Sequence, residues 1–166
     1  MLLLAGWLGA AIFFSAAVAP AAFGVLRSLN VQNAGEIAGA IVNRTLSVVN
    51  TSGFVIGLFS MVVGLLIKGR YRLRIMVAQL SLLVVLVLAT GVGQWVIAAR
   101  MRTLRLAMDA PIDLIAPNDP NRVAFAALHG YSVAALSIAI IAGLITFFVV
   151  GKIDAGRDGI GNHRTT

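Results

Sequence analysis

The chain has no cysteine, and it has few charged residues, histidines and prolines. Its 166 residues include two histidines and four prolines, and only 11% of them are charged. The absence of cysteine excludes disulfides, thiolate metal sites and catalytic thiols. Because soluble domains carry about 25% charged residues, a chain with 60% hydrophobic residues is predicted to be a membrane protein.

The charges that are present are mostly basic, with 13 Lys and Arg against six Asp and Glu. They cluster at the ends of apolar runs, where membrane proteins place anchors and topology signals. A nucleic-acid-binding surface would need a soluble basic face with aromatic residues, and the sequence contains no such segment. We therefore expect the lipid bilayer, and no nucleic acid, among the partners of the chain.

Four apolar runs are long enough to cross a hydrocarbon core of about 30 Å, which requires about 20 residues. Because lipid offers no hydrogen bonds to the backbone, each run is predicted to be an α-helix. Pro20 is predicted to kink the first helix. A short turn between the second and third runs predicts an all-α fold, an up-down four-helix transmembrane bundle. The runs cover about residues 2–26, 48–67, 75–99 and 123–150, within a domain of residues 1–151 that a flexible polar tail follows at 152–166.

Helices two and three are predicted to extend beyond the membrane on one side. Polar and apolar residues follow a helical period before the second run, so helix two should begin near Asn33 and end at Lys68. Asn33 is expected to be its N-cap, and Glu36 either completes a capping box or pairs with an arginine. Helix three should continue through Arg105. The pair Asp119–Pro120 is expected to start helix four as N-cap and first residue.

Polar residues in or beside the spans are predicted to meet at this same end of the bundle. His129 is the only histidine in an apolar run, and Ser132 lies within about 60° of it around the helix. Ionisable residues within spans are often functional, whereas a histidine near a helix end can also serve only to hydrogen-bond a neighbouring helix. The arginines are more often interface anchors than an anion site. The predicted polar cluster contains His129, Ser132, Arg122, Arg102, Arg105, Gln94, Glu36 and Asn43.

The sequence contains no complete catalytic or metal-binding set. No Ser-His-Asp set, phosphate loop, HExxH motif or pair of carboxylates lies within a span. We therefore expect no enzymatic activity, no catalytic residue, no metal site and no cofactor, with haem as an alternative.

Three short motifs resemble a known family. They are WLGAAIFF followed by APAAF (7–14 and 19–23), AGEIAG (34–39) and LHGYS (128–132). With these motifs the chain resembles the bacterial relatives of transmembrane protein 205, small four-span membrane proteins of unknown function, along nearly its whole length to Val150. That family is distantly similar to four-span units of copper-resistance membrane proteins and of a membrane haem-pathway oxidase. By analogy, the resemblance implies a haem or copper alternative.

The sequence favours an accessory or assembly subunit that works through helix–helix contacts, either with other membrane proteins or with itself. Spans one and four carry many small residues, and small residues allow helices to approach closely. Two alternatives remain. One is a haem- or copper-associated redox protein that uses His129, and the other is a component for transport or efflux of a small solute. Both are disfavoured because the spans contain neither an acidic residue nor a second histidine.

The distribution of basic residues predicts that both termini lie in the cytoplasm, and the resemblance to bacterial proteins implies a location in the bacterial inner membrane. The turn at 68–74 holds four cations in seven residues, and its side of the membrane holds seven Lys and Arg against six on the other. Short loops rich in Lys and Arg stay on the cytoplasmic side. A reporter enzyme that works only in the periplasm should therefore be inactive when fused to the C-terminus. Activity of that fusion would contradict the predicted orientation.

Overall fold

The computed structural model describes the backbone of residues 1–66 and 73–161, and the side chains of residues 1–66 and 73–149. This part of the chain forms four helices that are long and apolar enough to cross a membrane. The bundle closes in a ring, because each helix packs against the next one and the fourth packs against the first. The chain is thus a multi-pass membrane protein with the predicted four-helix bundle. The helices are α1 (Leu2–Ser28), α2 (Ala34–Leu66), α3 (Leu73–Leu106) and α4 (Pro120–Gly161).

The helix ends extend the spans predicted from apolar length. α2 begins at Ala34 and α3 continues to Leu106, as their predicted extensions require. The predicted end of α2 at Lys68 and residues 68–72 of the basic turn lie outside the described residues, while Leu73 and Arg74 already belong to α3. α4 continues to Gly161, past the predicted end near Val150. Adding a residue to an existing helix costs far less than starting one, which accounts for a helical backbone in this polar stretch. The flexibility of the tail stays a prediction, and residues 162–166 are outside the described part.

α1 contains a π-helical segment, Phe14–Val18, just before Pro20. Proline lacks a backbone N–H, and its ring crowds the carbonyl four residues earlier, here that of Ala16. Since Ala16 lies within the π-helical segment, the distortion predicted at Pro20 takes the form of a widened turn. α3 has a π-helical segment as well, Val92–Ile97, and that segment contains no proline.

The main core cluster is built from one face of each helix, and α1 contributes five of its eleven buried residues. Hydrocarbon is as apolar as leucine, so burial alone adds little in a membrane and close packing holds the helices together. The buried core residues are Leu4, Trp7, Leu8, Ala11 and Phe14 of α1, Val42 and Val49 of α2, Leu86 of α3, and Leu136, Ala139 and Ala142 of α4.

Trp7 joins α1 to α2 by a hydrogen bond inside the bundle. Its indole Nε1–H donates to the carbonyl oxygen of Val49 at 2.9 Å. One turn further along α2 is Gly53, where a Cβ atom would lie 2.7 Å from the indole ring. The missing side chain at Gly53 therefore lets the ring lie against the α2 backbone and reach the carbonyl.

Replacing Gly53 by alanine should destabilise the bundle, because the rigid indole ring would have to move. Overpacking of this kind costs about 1–3 kcal/mol. Gly64→Ala is the matched control on the same helix, since its nearest contact would be an ordinary 3.7 Å from Gln79 Nε2. Thermal unfolding in one detergent compares the two variants. Equal stability of the two variants would contradict this assignment.

Candidate functional site

At the loop end of the bundle, Glu36 connects α2, α3 and the segment between α3 and α4. Its Oε1 accepts hydrogen bonds from Arg105 Nη2 at 2.5 Å and Arg105 Nε at 3.0 Å. Its Oε2 accepts the backbone N–H of Ile112 at 3.1 Å. The two charged side chains are 30% and 32% exposed, so solvent screens the pair and its contribution stays within about 1 kcal/mol.

The cap of α2 differs from the predicted one. Asp113 Oδ2 accepts the backbone N–H of Glu36 at 3.2 Å, and the Asp113 carboxylate lies against Gly35. Asn33 has a φ of 57°, whereas an N-cap residue normally has an extended backbone. The predicted capping box of Asn33 and Glu36 is therefore wrong. A carboxylate from the loop caps the helix, which leaves the Glu36 side chain to pair with an arginine.

The start of α4 is capped as predicted. Asp119 Oδ1 accepts the backbone N–H groups of Asn121 at 2.8 Å and of Arg122 at 3.2 Å. The guanidinium of Arg122 donates to the carbonyl oxygen of Ile115. Arg122 therefore fastens the loop to α4.

Deeper in the bundle, an amide and a hydroxyl meet between α2 and α3. Gln94 Nε2 donates to Ser47 Oγ at 2.8 Å. Asn50 is only 3% exposed, and its Nδ2 lies 3.1 Å from the position that a Cβ on Gly93 would take. We call the line of polar side chains along this interface the polar seam. It consists of Glu36, Asn43, Ser47 and Asn50 of α2 and Gln94 and Arg105 of α3.

One atom of the polar seam has no partner in the described part of the chain. Gln94 Oε1 is buried and accepts no hydrogen bond there. An unpaired buried acceptor costs about 1–3 kcal/mol, so this oxygen marks a place where a further hydrogen-bond donor would stabilise the protein.

The structure divides the predicted polar cluster. Glu36, Arg105 and Gln94 lie on the polar seam, and Asn43 is half-buried beside them. Ser132 is buried on α4. The remaining members are Arg122, which holds the loop, and Arg102 and His129, which are exposed and form no side-chain hydrogen bond with other described residues.

His129, which was predicted to belong to the polar cluster at the mouth of the bundle, lies on the outer surface of α4. Its ring is exposed, while Ser132, on the adjacent part of the helix surface, is buried. The described residues contain no group of three or more His, Asp or Glu side chains placed to hold a metal ion. Any ligand of His129 would have to approach from outside the bundle.

Ser47 and Asn50 are seam residues that the predicted cluster left out. The sequence did carry a signal for them, because both fall on the same helical arc as Glu36 and Asn43. The helical arc alone does not predict which helix Ser47 and Asn50 face, and the structure shows that it is α3.

A second surface lies on the outside of α1. Gly6, Gly9 and Gly24 are exposed, and a Cβ atom at any of them would meet no described residue within 4 Å. Ala10 and Phe13 are exposed beside them. These five residues form the α1 outer face, which is turned away from the core residues of the same helix.

The loop also borders a cleft of about 220 Å³, lined by residues 107–110 and by Ile115, Asp119 and Asn121. Asp119, the N-cap of α4, uses one carboxylate oxygen for that helix. This cleft therefore lies where the loop is attached to the start of α4, and its lining already serves to hold the loop in place.

The model of the family described as Domain of unknown function (DUF4149) matches residues 2–110. The chain belongs to the DUF4149 family. The matched region contains α1, α2, α3, the polar seam and the α1 outer face, while α4 lies beyond it. No curated protein and no solved structure was found to match the chain.

The Glu36–Arg105 pair of this DUF4149 protein can be tested by a double-mutant cycle. Glu36→Gln and Arg105→Gln should each destabilise the protein, with a coupling energy of about 0.5–1 kcal/mol. Added salt should reduce the coupling, because the pair is partly exposed.

The matched control combines Glu36→Gln with Arg102→Gln, an exposed arginine on the same helix. Effects in this second cycle should be additive. A coupling as small for Arg105 as for Arg102 would show that the Glu36–Arg105 contact contributes nothing to stability.

Proposed function

We propose that this DUF4149 protein is a non-catalytic accessory or assembly subunit that contacts other membrane proteins, or a second copy of itself, through the α1 outer face. The observation that carries the proposal is the unfilled space at Gly6, Gly9 and Gly24. A glycine inside a helix costs about 0.5–1 kcal/mol relative to alanine. At these three positions no packing contact with another described residue offsets that cost.

Several glycines inside the bundle are used differently, whereas Gly39 and Gly130 also have open space at the Cβ position. A Cβ atom at Gly57 would lie 2.7 Å from Val87, and one at Gly143 would lie 3.0 Å from Leu8. These glycines, like Gly53, let two helices approach closely. The same chemistry on the α1 outer face supports close approach of a helix from outside.

The spacing on α1 also suits helix association. Gly6 and Ala10 are four residues apart, and both are exposed. Two small residues at this spacing form a shallow groove in which another membrane helix packs closely. Phe13 is 65% exposed one turn beyond Gly9, and it gives the groove a large apolar border.

The wider setting of the proposal is a bacterial inner membrane, with both termini in the cytoplasm. The resemblance to transmembrane protein 205 belongs to this proposal too. Two of its three motif regions fall within the residues that match DUF4149, and the third, LHGYS, lies on α4 outside that match. Neither the haem or copper alternative nor the transport alternative is favoured by a particular contact in the described residues.

Because the chain has no cysteine, single-cysteine cross-linking tests the contact directly. Ala10→Cys carrying a photoactivatable cross-linker on its thiol should form a covalent product in native membranes. A partner helix packed on the α1 outer face would lie within reach of the cross-linker. A product of twice the mass of the chain identifies a second copy, and a product of another mass identifies a different protein.

Ile141→Cys is the matched control, since this residue is 56% exposed on α4 and lies away from the α1 outer face. It should give much less product. Equal cross-linking at the two positions, together with a monomer that purifies alone in mild detergent, would refute the proposal.

A further inference from the structure

The polar seam has a fixed register, which places its side chains along one continuous interface. Arg105 pairs with Glu36, Gln94 bonds to Ser47, and Gly93 lies against Asn50. From Glu36 to Asn50 the seam covers about 21 Å of helix, at 1.5 Å per residue. It therefore leads from the loop into the bundle.

The seam is most deeply buried at its inner end. Glu36 and Arg105 are about one-third exposed at its outer end, and Asn43, Ser47 and Gln94 are half-buried. Asn50 is 3% exposed at the inner end. We call this stretch of the α2–α3 interface, partly exposed toward the loop and buried at Asn50, the crevice.

An aromatic contact lies one turn below Asn50, and we take it as the inner limit of the crevice. The rings of Phe54 and Trp95 pack edge to face, with centroids 4.7 Å apart. A Cβ atom at Gly91 would lie 3.3 Å from the Phe54 ring, so the ring lies against the α3 backbone. The contact between α2 and α3 directly below Asn50 is therefore apolar.

The inner end of the crevice offers hydrogen bonds that the chain leaves unused. Gln94 Oε1 is buried without a partner in the described residues. Ser47 Oγ lies 2.8 Å from the nitrogen of the same amide, and the Asn50 amide borders Gly93. A buried water usually forms two to four hydrogen bonds, and these three groups can supply them.

The local backbone also departs from a regular helix. Gly93 and Gln94 belong to the π-helical segment Val92–Ile97. Single π-helical turns inside α-helices occur frequently at functional sites. The unpaired oxygen and the widened turn are two separate observations at the same place.

We propose that water enters the bundle from the side of the loop, along the polar seam, and occupies a site between α2 and α3, where it donates a hydrogen bond to Gln94 Oε1. The site takes a small uncharged molecule, because an amide and a hydroxyl surround it and its inner end is buried. The crevice ends at the Phe54–Trp95 contact and does not cross the bundle.

Nuclear magnetic resonance of the unmodified protein in lipid nanodiscs tests the site. The side-chain amide protons of Gln94 and Asn50 should show cross-peaks to water. The indole proton of Trp7 is the internal control, because it is buried and bonded to Val49, and it should show none. Absence of a water cross-peak at Gln94, or an equal one at Trp7, would overturn the proposal.

Cysteine labelling tests the route by which water enters. Ser47→Cys lies in the crevice, and its neighbour Val48→Cys lies at the same depth but faces lipid with 64% of its surface exposed. Only a hydrated thiol ionises and reacts readily, so a methanethiosulfonate applied from the loop side should label Ser47→Cys about tenfold faster. Equal rates for the two variants would overturn the loop-side route.

Discussion

Hydrocarbon supplies no hydrogen bonds, and this constraint decides which side chains face the interior of the bundle. The Thr90 and Thr146 hydroxyls donate to carbonyls of their own helices at 2.8 Å. Trp7 and Gln94 instead reach across to α2. Large apolar residues such as Val48 are exposed. The outside of the bundle is thus apolar like its core, and these polar side chains turn toward carbonyls of their own helix or toward another helix.

The same constraint gives glycine its importance. Moving a leucine from lipid to a helix interface gains little, so helices associate where their surfaces fit. Trp7 fits over Gly53, and Leu8 fits against Gly143. A glycine with no neighbouring helix adds no packing contact, and it still destabilises its own helix relative to alanine. The unfilled glycines of the α1 outer face therefore gain nothing from packing among the described residues, as is also true of Gly39 and Gly130, unless another helix packs there.

The sequence was sufficient for features that depend on length or on adjacent residues. Apolar length predicted the four spans, and a local capping rule predicted Asp119 at the start of α4. Contacts between residues that are far apart in the chain could not be predicted from the sequence. Asp113, which caps α2, is 77 positions from Glu36, and only the path of the loop brings them together. His129 shows a different limit. A helical projection places it near Ser132, but it cannot tell where the boundary between bundle and lipid falls, and that boundary passes between them.

The cross-helix side-chain hydrogen bonds described above all connect α1, α2 and α3. Trp7 bonds to Val49, Gln94 bonds to Ser47, and Arg105 bonds to Glu36. Hydrogen bonds have fixed lengths and directions, so each contact sets one level of one helix against the next. α4 contributes core residues that pack by shape, Leu136, Ala139 and Ala142. The residues that match DUF4149, 2–110, include all three hydrogen-bonded contacts and exclude α4. Directional bonds therefore fix the register of the matched helices, whereas the described core of the fourth is held by complementary shape.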